Sequence, residues 1–61
     1  MEHKNYRVKF RDDGGKVIFQ EFDTIIQAQS LYDSLDGKAE IYQYIEDLGR
    51  YEIVIYPTFE F

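Results

Sequence analysis

Residues 6–22 read YRVKFRDDGGKVIFQEF, which predicts two strands joined by a tight turn. In its first part, apolar and basic residues alternate strictly, which is the period of a strand with one buried face. The Asp-Asp-Gly-Gly sequence at 12–15 favours a hairpin turn, because glycine adopts a positive φ without strain. The residues after it are rich in β-branched and aromatic types, which favour a second strand.

The length of this turn sets which side chains share a face. A loop of two or four residues predicts that Phe10 lies near Val17 and that Val8 lies near Phe19. Residues that oppose one another in an antiparallel pair project from the same face, so these four side chains share a face. Alternation along the first strand adds Tyr6 to it. The other face of the first two strands is then predicted to carry Arg7, Lys9, Arg11, Ile18 and Phe22.

A helix of about 11 residues is predicted after these strands. Thr24 as the N-cap and Gln27 three residues later make a capping box, and Asp23 adds negative charge at the positive end of the helix dipole. Gly37 predicts the C-terminal end of the helix. The apolar stripe of this helix consists of Ile25, Ala28, Leu31, Tyr32 and Leu35.

Residues 38–46 and 50–56 are predicted to form the third and fourth strands, joined by a three-residue loop at 47–49. This loop opposes Glu46 to Arg50. The pairing then runs Ile45 with Tyr51, Tyr44 with Glu52, Tyr42 with Val54, and Ile41 with Ile55. Pro57 has no backbone donor, so regular pairing is expected to stop near it.

The fold class predicted is α+β: a small ββαββ domain with an antiparallel-rich four-stranded sheet and one helix packed on one face. We expect residues 1–5 to be a frayed N-terminal tail, 6–57 to be the single domain, and 58–61 to be a C-terminal aromatic tail. The face under the helix is predicted to carry Tyr6, Val8, Phe10, Val17, Phe19, Ala39, Ile41, Ile45, Tyr51, Ile53 and Ile55.

The opposite face of the sheet has no second helix to cover it, and it is not purely polar. Exposed apolar surface beyond a few hundred Å² usually marks an interaction site, and tyrosine is a residue type that interfaces favour. The predicted partner-binding residues are Ile18, Tyr42, Tyr44, Val54, Tyr56, Glu40, Glu46 and Glu52. The alternative is an ordinary solvated face on which the stems of Arg, Lys and Glu lie over the tyrosines.

The charges on that face are predicted to be segregated, with cations on the first strand and glutamates on the third and fourth. If these strands lie far apart, a two-fold axis sets one copy's basic strand against the other's acidic strands. A homo-oligomer is therefore the expected partner arrangement.

Composition excludes several function classes. The net charge of −5 argues against direct binding of nucleic acid, because phosphates repel an acidic chain. The absence of cysteine excludes disulfides and thiolate metal sites and fits a reducing compartment. No apolar run approaches the roughly 20 residues of a membrane helix, and no signal pattern opens the chain. We expect a protein of the cytoplasm, of a bacterial or a host cell, that does not contact membranes.

Candidate chemistry is sparse. The single histidine, His3, lies in the N-terminal tail, and Asp12 and Asp13 lack the spacing of a calcium loop. No glycine pattern of a phosphate loop follows Gly14 and Gly15. A chain of this size has little room for a cleft that perturbs carboxylates. No enzyme activity, cofactor or metal is therefore expected.

The sequence thus predicts a small acidic protein-interaction module that self-associates through the sheet face opposite the helix. The alternative is an acidic inhibitor or DNA mimic, whose carboxylates imitate a phosphate backbone and occupy the basic site of a nucleic-acid-binding protein. Small acidic inhibitors encoded by phages are similar in general outline, although no specific motif is shared.

Overall fold

The computed structural model describes residues 4–58 and has two hairpins with one helix between them. Its strands are β1 (Tyr6–Arg11), β2 (Val17–Phe22), β3 (Ala39–Ile45) and β4 (Arg50–Ile55), and its helix is α1 (Ile25–Ser34). One sheet contains all four strands in the order β2-β1-β3-β4, and each neighbouring pair is antiparallel. The predicted α+β fold with ββαββ order is confirmed.

The helix begins and ends where the sequence predicts. The Oγ1 atom of Thr24 accepts a hydrogen bond from the backbone nitrogen of Gln27 at 3.3 Å, which satisfies one donor of the first turn. At the other end, Asp36 and Gly37 adopt left-handed φ values of 57° and 76°. The helix packs on β1, β3 and β2.

The core between helix and sheet is small. Among residues 4–58, the fully buried residues of this core are Val8, Ala28, Ala39 and Ile41. Partly buried around them are Tyr6, Phe10, Phe22, Ile25, Leu31, Tyr32, Leu35 and Ile55. The whole predicted stripe of α1 belongs to this set.

The turn between β1 and β2 has a different length from the one predicted, and this moves β2 by one residue. Asp12 Oδ1 accepts hydrogen bonds from the nitrogens of Gly14 and Lys16, both at 2.9 Å, and Asp12 and Lys16 also pair through their backbones. The loop therefore contains three residues, 13–15. A shift of one residue reverses the two faces of a strand, so Phe10 opposes Ile18 and not Val17.

The prediction for the faces of β2 was therefore wrong. Lys9 opposes Phe19 and Arg11 opposes Val17, so these two apolar residues lie on the face away from the helix. Ile18 and Phe22, which were expected there, lie on the helix side.

The turn between β3 and β4 also differs by one residue. The nitrogen of Gly49 donates to the carbonyl of Ile45 at 2.8 Å, which closes a four-residue loop and opposes Ile45 to Arg50. A bulge then changes the register, because Tyr42 opposes Ile53 whereas Ile41 opposes Ile55.

This bulge leaves Val54 as an extra residue and divides β4 into two parts. The pairing of Ile41 with Ile55 is as predicted. The part of β4 nearer the turn is reversed, so Tyr51 and Ile53 lie on the face away from the helix, while Glu52 lies on the helix side of the sheet.

The sheet face away from the helix, called the open face below, follows from these registers. Its strand residues are Arg7, Lys9, Arg11, Val17, Phe19, Glu21, Glu40, Tyr42, Tyr44, Tyr51 and Ile53.

Contacts at both ends of the described chain attach it to the domain. The carbonyl of Lys4 accepts a 2.7 Å hydrogen bond from the hydroxyl of Tyr51, and that of Asn5 accepts one from the nitrogen of Tyr44. At the other end, Thr58 donates its backbone N–H to the carbonyl of Gly37 at 2.9 Å. The tails were predicted at residues 1–5 and 58–61. Of these, residues 1–3 and 59–61 lie outside the described residues.

Candidate interaction surface

The open face contains a cluster built around Arg7. Its Nη2 atom lies 2.7 Å from Oε2 of Glu21, on the neighbouring strand β2. The guanidinium carbon stands 4.1 Å from the ring centroid of Tyr51 and 5.6 Å from that of Phe19. A flat cation between two ring faces is stabilised both by the ring quadrupoles and by packing. Tyr51 in turn meets the ring of Tyr44 edge-on at 5.2 Å.

A second cluster lies beside the first and is built around Glu40. Its Oε1 atom is 3.7 Å from Nζ of Lys9 and accepts a hydrogen bond from the hydroxyl of Tyr42 at 3.0 Å. Burial raises the pKa of the Tyr42 phenol above its ordinary value of 10.0, and the Glu40 acceptor and the nearby Tyr56 phenol raise it further. Tyr56 follows Ile55, whose partner Ile41 is buried under the helix, so the alternation of side chains places Tyr56 on the same side of the sheet as Tyr42.

The apolar side chains between and beside these clusters are exposed. Phe19 on β2 is 54% exposed, and Tyr56, just beyond β4, is 68% exposed. Val17 and Val54 are also exposed. An uncovered ring at each side of a sheet face is the kind of apolar surface that partners bury.

The structure brings some of the predicted partner-binding residues together on this face. Glu40, Tyr42 and Tyr44 lie there on one strand, and Tyr56 lies beside them. Val54 occupies the bulge and is exposed.

Three of the predicted residues lie elsewhere. Ile18 faces the helix side because the first hairpin loop has an odd number of residues. Glu52 lies on the helix side, where it accepts a 2.9 Å hydrogen bond from Arg50, and Glu46 is an exposed residue of the β3–β4 turn.

Sequence reasoning missed Val17, Phe19, Tyr51 and Ile53 as open-face residues, because it assigned all four to the face under the helix. One signal was present in the sequence. An Asp at the first turn position with Gly three residues later is compatible with a three-residue loop, and a loop with an odd number of residues gives this facing of β2.

Charge on the open face is interleaved and not segregated. The cationic strand β1 lies between β2 and β3, and each of these two strands offers it a glutamate. The strand residues of this face carry three cations and two carboxylates, a net charge of +1. Since the chain carries −5, all other residues together carry −6. The open face therefore repels another acidic molecule less than the rest of the surface taken together.

Other features of the described residues offer little for small-molecule chemistry. A depression of about 150 Å³ lies next to Lys9, Phe10, Arg11, Val17 and Glu40. Ordinary ligand pockets begin at about 300 Å³. Within residues 4–58, no three His, Cys, Asp or Glu side chains are placed to hold a metal ion. The single helix of this segment is too short to span a bilayer.

Comparisons of the chain with models of protein families, with curated proteins and with solved structures found no match.

Proposed function

We propose that this chain is a non-enzymatic protein-interaction module that associates with a second copy of itself through the open face. The observation that carries the proposal is the combination of exposed aromatic rings with near-neutral charge on one face of an otherwise acidic molecule. The residues outside the open-face strands together carry −6, so contacts made across that surface as a whole oppose negative charge to negative charge, and like charges across an interface weaken binding.

The internal pairing of the open face also supports this function. Arg7 and Lys9 are already matched by Glu21 and Glu40, so a partner need not supply counter-charges to every cation it covers. The hydroxyl groups of Tyr42 and Tyr51 already donate hydrogen bonds to acceptors within the chain. Covering such a face leaves few polar groups unsatisfied, which lowers the free energy needed to bury it.

Two matched variants test the proposal. Phe19→Asp places a charge at the exposed ring of the open face, whereas Ile26→Asp places the same charge at a 78% exposed apolar residue of α1, away from that face. We expect sedimentation equilibrium to report a dimer for the wild type and for Ile26→Asp, and a monomer for Phe19→Asp. Circular dichroism must show that both variants are folded. Equal masses for the two variants would contradict the proposal.

The acidic inhibitor or DNA mimic stays the alternative, and no observation of the described residues favours it. Carboxylates without an ion pair include Asp33 in the last turn of α1, Asp36 after the helix, and Glu46 and Asp47 in the β3–β4 turn. Because α1 and β3 run in opposite directions along the domain, these two pairs lie at opposite ends and do not form one line. Binding to a basic protein that disappears steeply with added salt would favour this alternative, since screening weakens exposed charge pairs.

We place this module in the cytoplasm of a bacterial or host cell. A chain without cysteine needs no oxidising compartment in order to fold, which supports this location.

A further inference from the structure

The residues of the open face are arranged so that a two-fold axis places complementary residues of a second copy over them. Its strand order is β2-β1-β3-β4, so the midline of the sheet runs between β1 and β3. Rotation by 180° about an axis parallel to the strands, placed above this midline, keeps each residue at its level along the strands. It places β3 of a second copy over β1, and β4 of that copy over β2.

One level of the sheet carries the strongest pattern. Phe19, Lys9 and Glu40 oppose one another on β2, β1 and β3. Tyr56 follows Ile55, the partner of Ile41, and so comes level with Glu40 beside β4. The level therefore reads aromatic, cation, anion, aromatic across the sheet, and its two aromatic residues are the exposed rings of this face.

The two-fold axis opposes unlike charges at this level. Glu40 of the second copy lies over Lys9, and Lys9 of the second copy lies over Glu40. Together with the 3.7 Å pair already present in each copy, they form a square in which every neighbour has the opposite charge. At the ends of the level, Tyr56 of the second copy lies over Phe19, and the reverse contact forms at the other end.

The next level is complementary at its centre only, since its outer contact sets Ile53 of the second copy over Glu21. Arg7 and Tyr42 oppose one another on β1 and β3, so the rotation places the ring of Tyr42 of the second copy over Arg7. A guanidinium over a tyrosine ring is a favourable contact.

The twist of the sheets does not remove these contacts. Outer strands lie about 14 Å apart at ~4.8 Å per strand, so Phe19 and Tyr56 are about 7 Å from the axis. Packed sheets cross at about 30°, which displaces points at that radius by about 4 Å. This displacement is within the reach of aromatic side chains, and the square of charges near the axis moves less.

The other in-plane axis, perpendicular to the strands, gives the opposite result. It places β1 of one copy over β1 of the other, and the open-face residues of β1 are all cations: Arg7, Lys9 and Arg11. Like charges then oppose one another in every register.

We propose that two copies pack open face to open face about a two-fold axis parallel to the strands, with β1 over β3 and with Lys9 of each copy against Glu40 of the other. This arrangement rests on the proposed function, because it specifies the dimer that the module forms.

Charge reversal tests the arrangement directly. Lys9→Glu surrounds the axis with four carboxylates, and Glu40→Lys surrounds it with four ammonium groups. We expect each single variant to raise the dimer dissociation constant roughly tenfold or more, since opposed like charges weaken an interface strongly. Lys9→Glu combined with Glu40→Lys in one chain restores alternation, so its dissociation constant should return close to that of the wild type.

Mixing gives the decisive readout. When ¹⁵N-labelled Lys9→Glu is mixed with unlabelled Glu40→Lys, native mass spectrometry should find heterodimers well above the statistical half. A second mixture, of Lys9→Glu with the wild type, should give no more than the statistical half of heterodimers, because each heterodimer then has one like-charged and one unlike-charged contact at this level. An excess of heterodimers in this second mixture would mean that β1 lies over β1 and that the arrangement is wrong. Should a single reversal unfold the chain, Lys9→Gln and Glu40→Gln must each weaken the dimer without juxtaposing like charges.

The remaining outcomes separate the two proposals. A wild-type dimer that is indifferent to all these charge changes overturns the arrangement and leaves self-association standing. A wild-type monomer, or a monomer that binds only an unrelated basic protein, overturns both.

Discussion

Replacement of Gly37 by alanine should destabilise this domain more than any other glycine replacement in a turn. Gly37 is buried, with φ at 76°, and a Cβ atom there would lie 2.8 Å from Cβ of Thr58 and closer still to its Oγ1. The left-handed backbone alone costs about 1–2 kcal/mol for a residue with a side chain. The added methyl must also displace Thr58.

The displacement of Thr58 accounts for the rest of the loss in unfolding free energy. Its backbone N–H donates to the Gly37 carbonyl at 2.9 Å, and its hydroxyl lies 2.8 Å from that of Tyr32. The net value of each bond is about 1 kcal/mol, so their loss adds about 2 kcal/mol. Gly37→Ala should therefore lower the free energy of unfolding by about 3–4 kcal/mol.

Gly49→Ala is the matched control. Its φ is 66° and nothing lies within 4 Å of a Cβ placed there, so alanine at this position loses only the free energy of the left-handed backbone. Urea unfolding followed by circular dichroism, at one low protein concentration, should separate the two variants by about 2 kcal/mol. Thr58→Gly should recover part of the loss in Gly37→Ala and none in Gly49→Ala. Equal destabilisation by the two alanines would refute the close contact between Thr58 and Gly37.

Two further predictions concern single side chains. Ile41→Ala, at a fully buried core position, should lower the free energy of unfolding measured in urea by about 2–5 kcal/mol. Ile53→Ala, on the open face, should lower it clearly less. The reverse order would mean that the bulge at Val54 is misplaced. Because the folded-state pKa of Tyr42 is raised, its contribution to stability is fully present below about pH 10 and is lost as the pH rises through the folded value. Unfolding free energies compared between pH 9 and pH 11 should therefore fall by less in Tyr42→Phe than in the wild type, and an equal fall would contradict the environment assigned to this phenol.

The elements of the fold follow from local signals, and these were readable from the sequence. Strict alternation in β1, the Thr24 cap and the apolar stripe of α1 each depend on neighbours within a few residues. Such signals are set by the periods of strand and helix and by the chemistry of capping, so they do not depend on the rest of the chain.

The facing was predicted wrongly for β2 and for the part of β4 nearer the turn, because register depends on loop length counted to a single residue. Asp12 Oδ1 selects a three-residue loop by accepting two backbone donors, and this choice is a matter of side-chain geometry. The second hairpin has a four-residue loop whose shift is cancelled near Ile55 by a bulge. A pattern of apolar residues on both faces, as in β2, does not reveal which of the two faces is buried.

The candidate surface was therefore predicted only in part. Tyr42, Tyr44 and Glu40 were placed correctly on the open face because the facing of β3 was predicted correctly. Ile18 was placed on the wrong face because the register of β2 was wrong by one residue. The pairing of Lys9 with Glu40 depends on strand order, which no local pattern contains.

The absolute mass of the wild-type chain in solution shows whether two copies associate. Light scattering should be measured over a wide range of protein concentration, at low and at high salt. We expect twice the chain mass of 7.3 kDa at high concentration, with the dimer persisting in high salt because aromatic burial contributes alongside the charge pairs. A mass that stays at that of one chain at every concentration would contradict self-association through the open face.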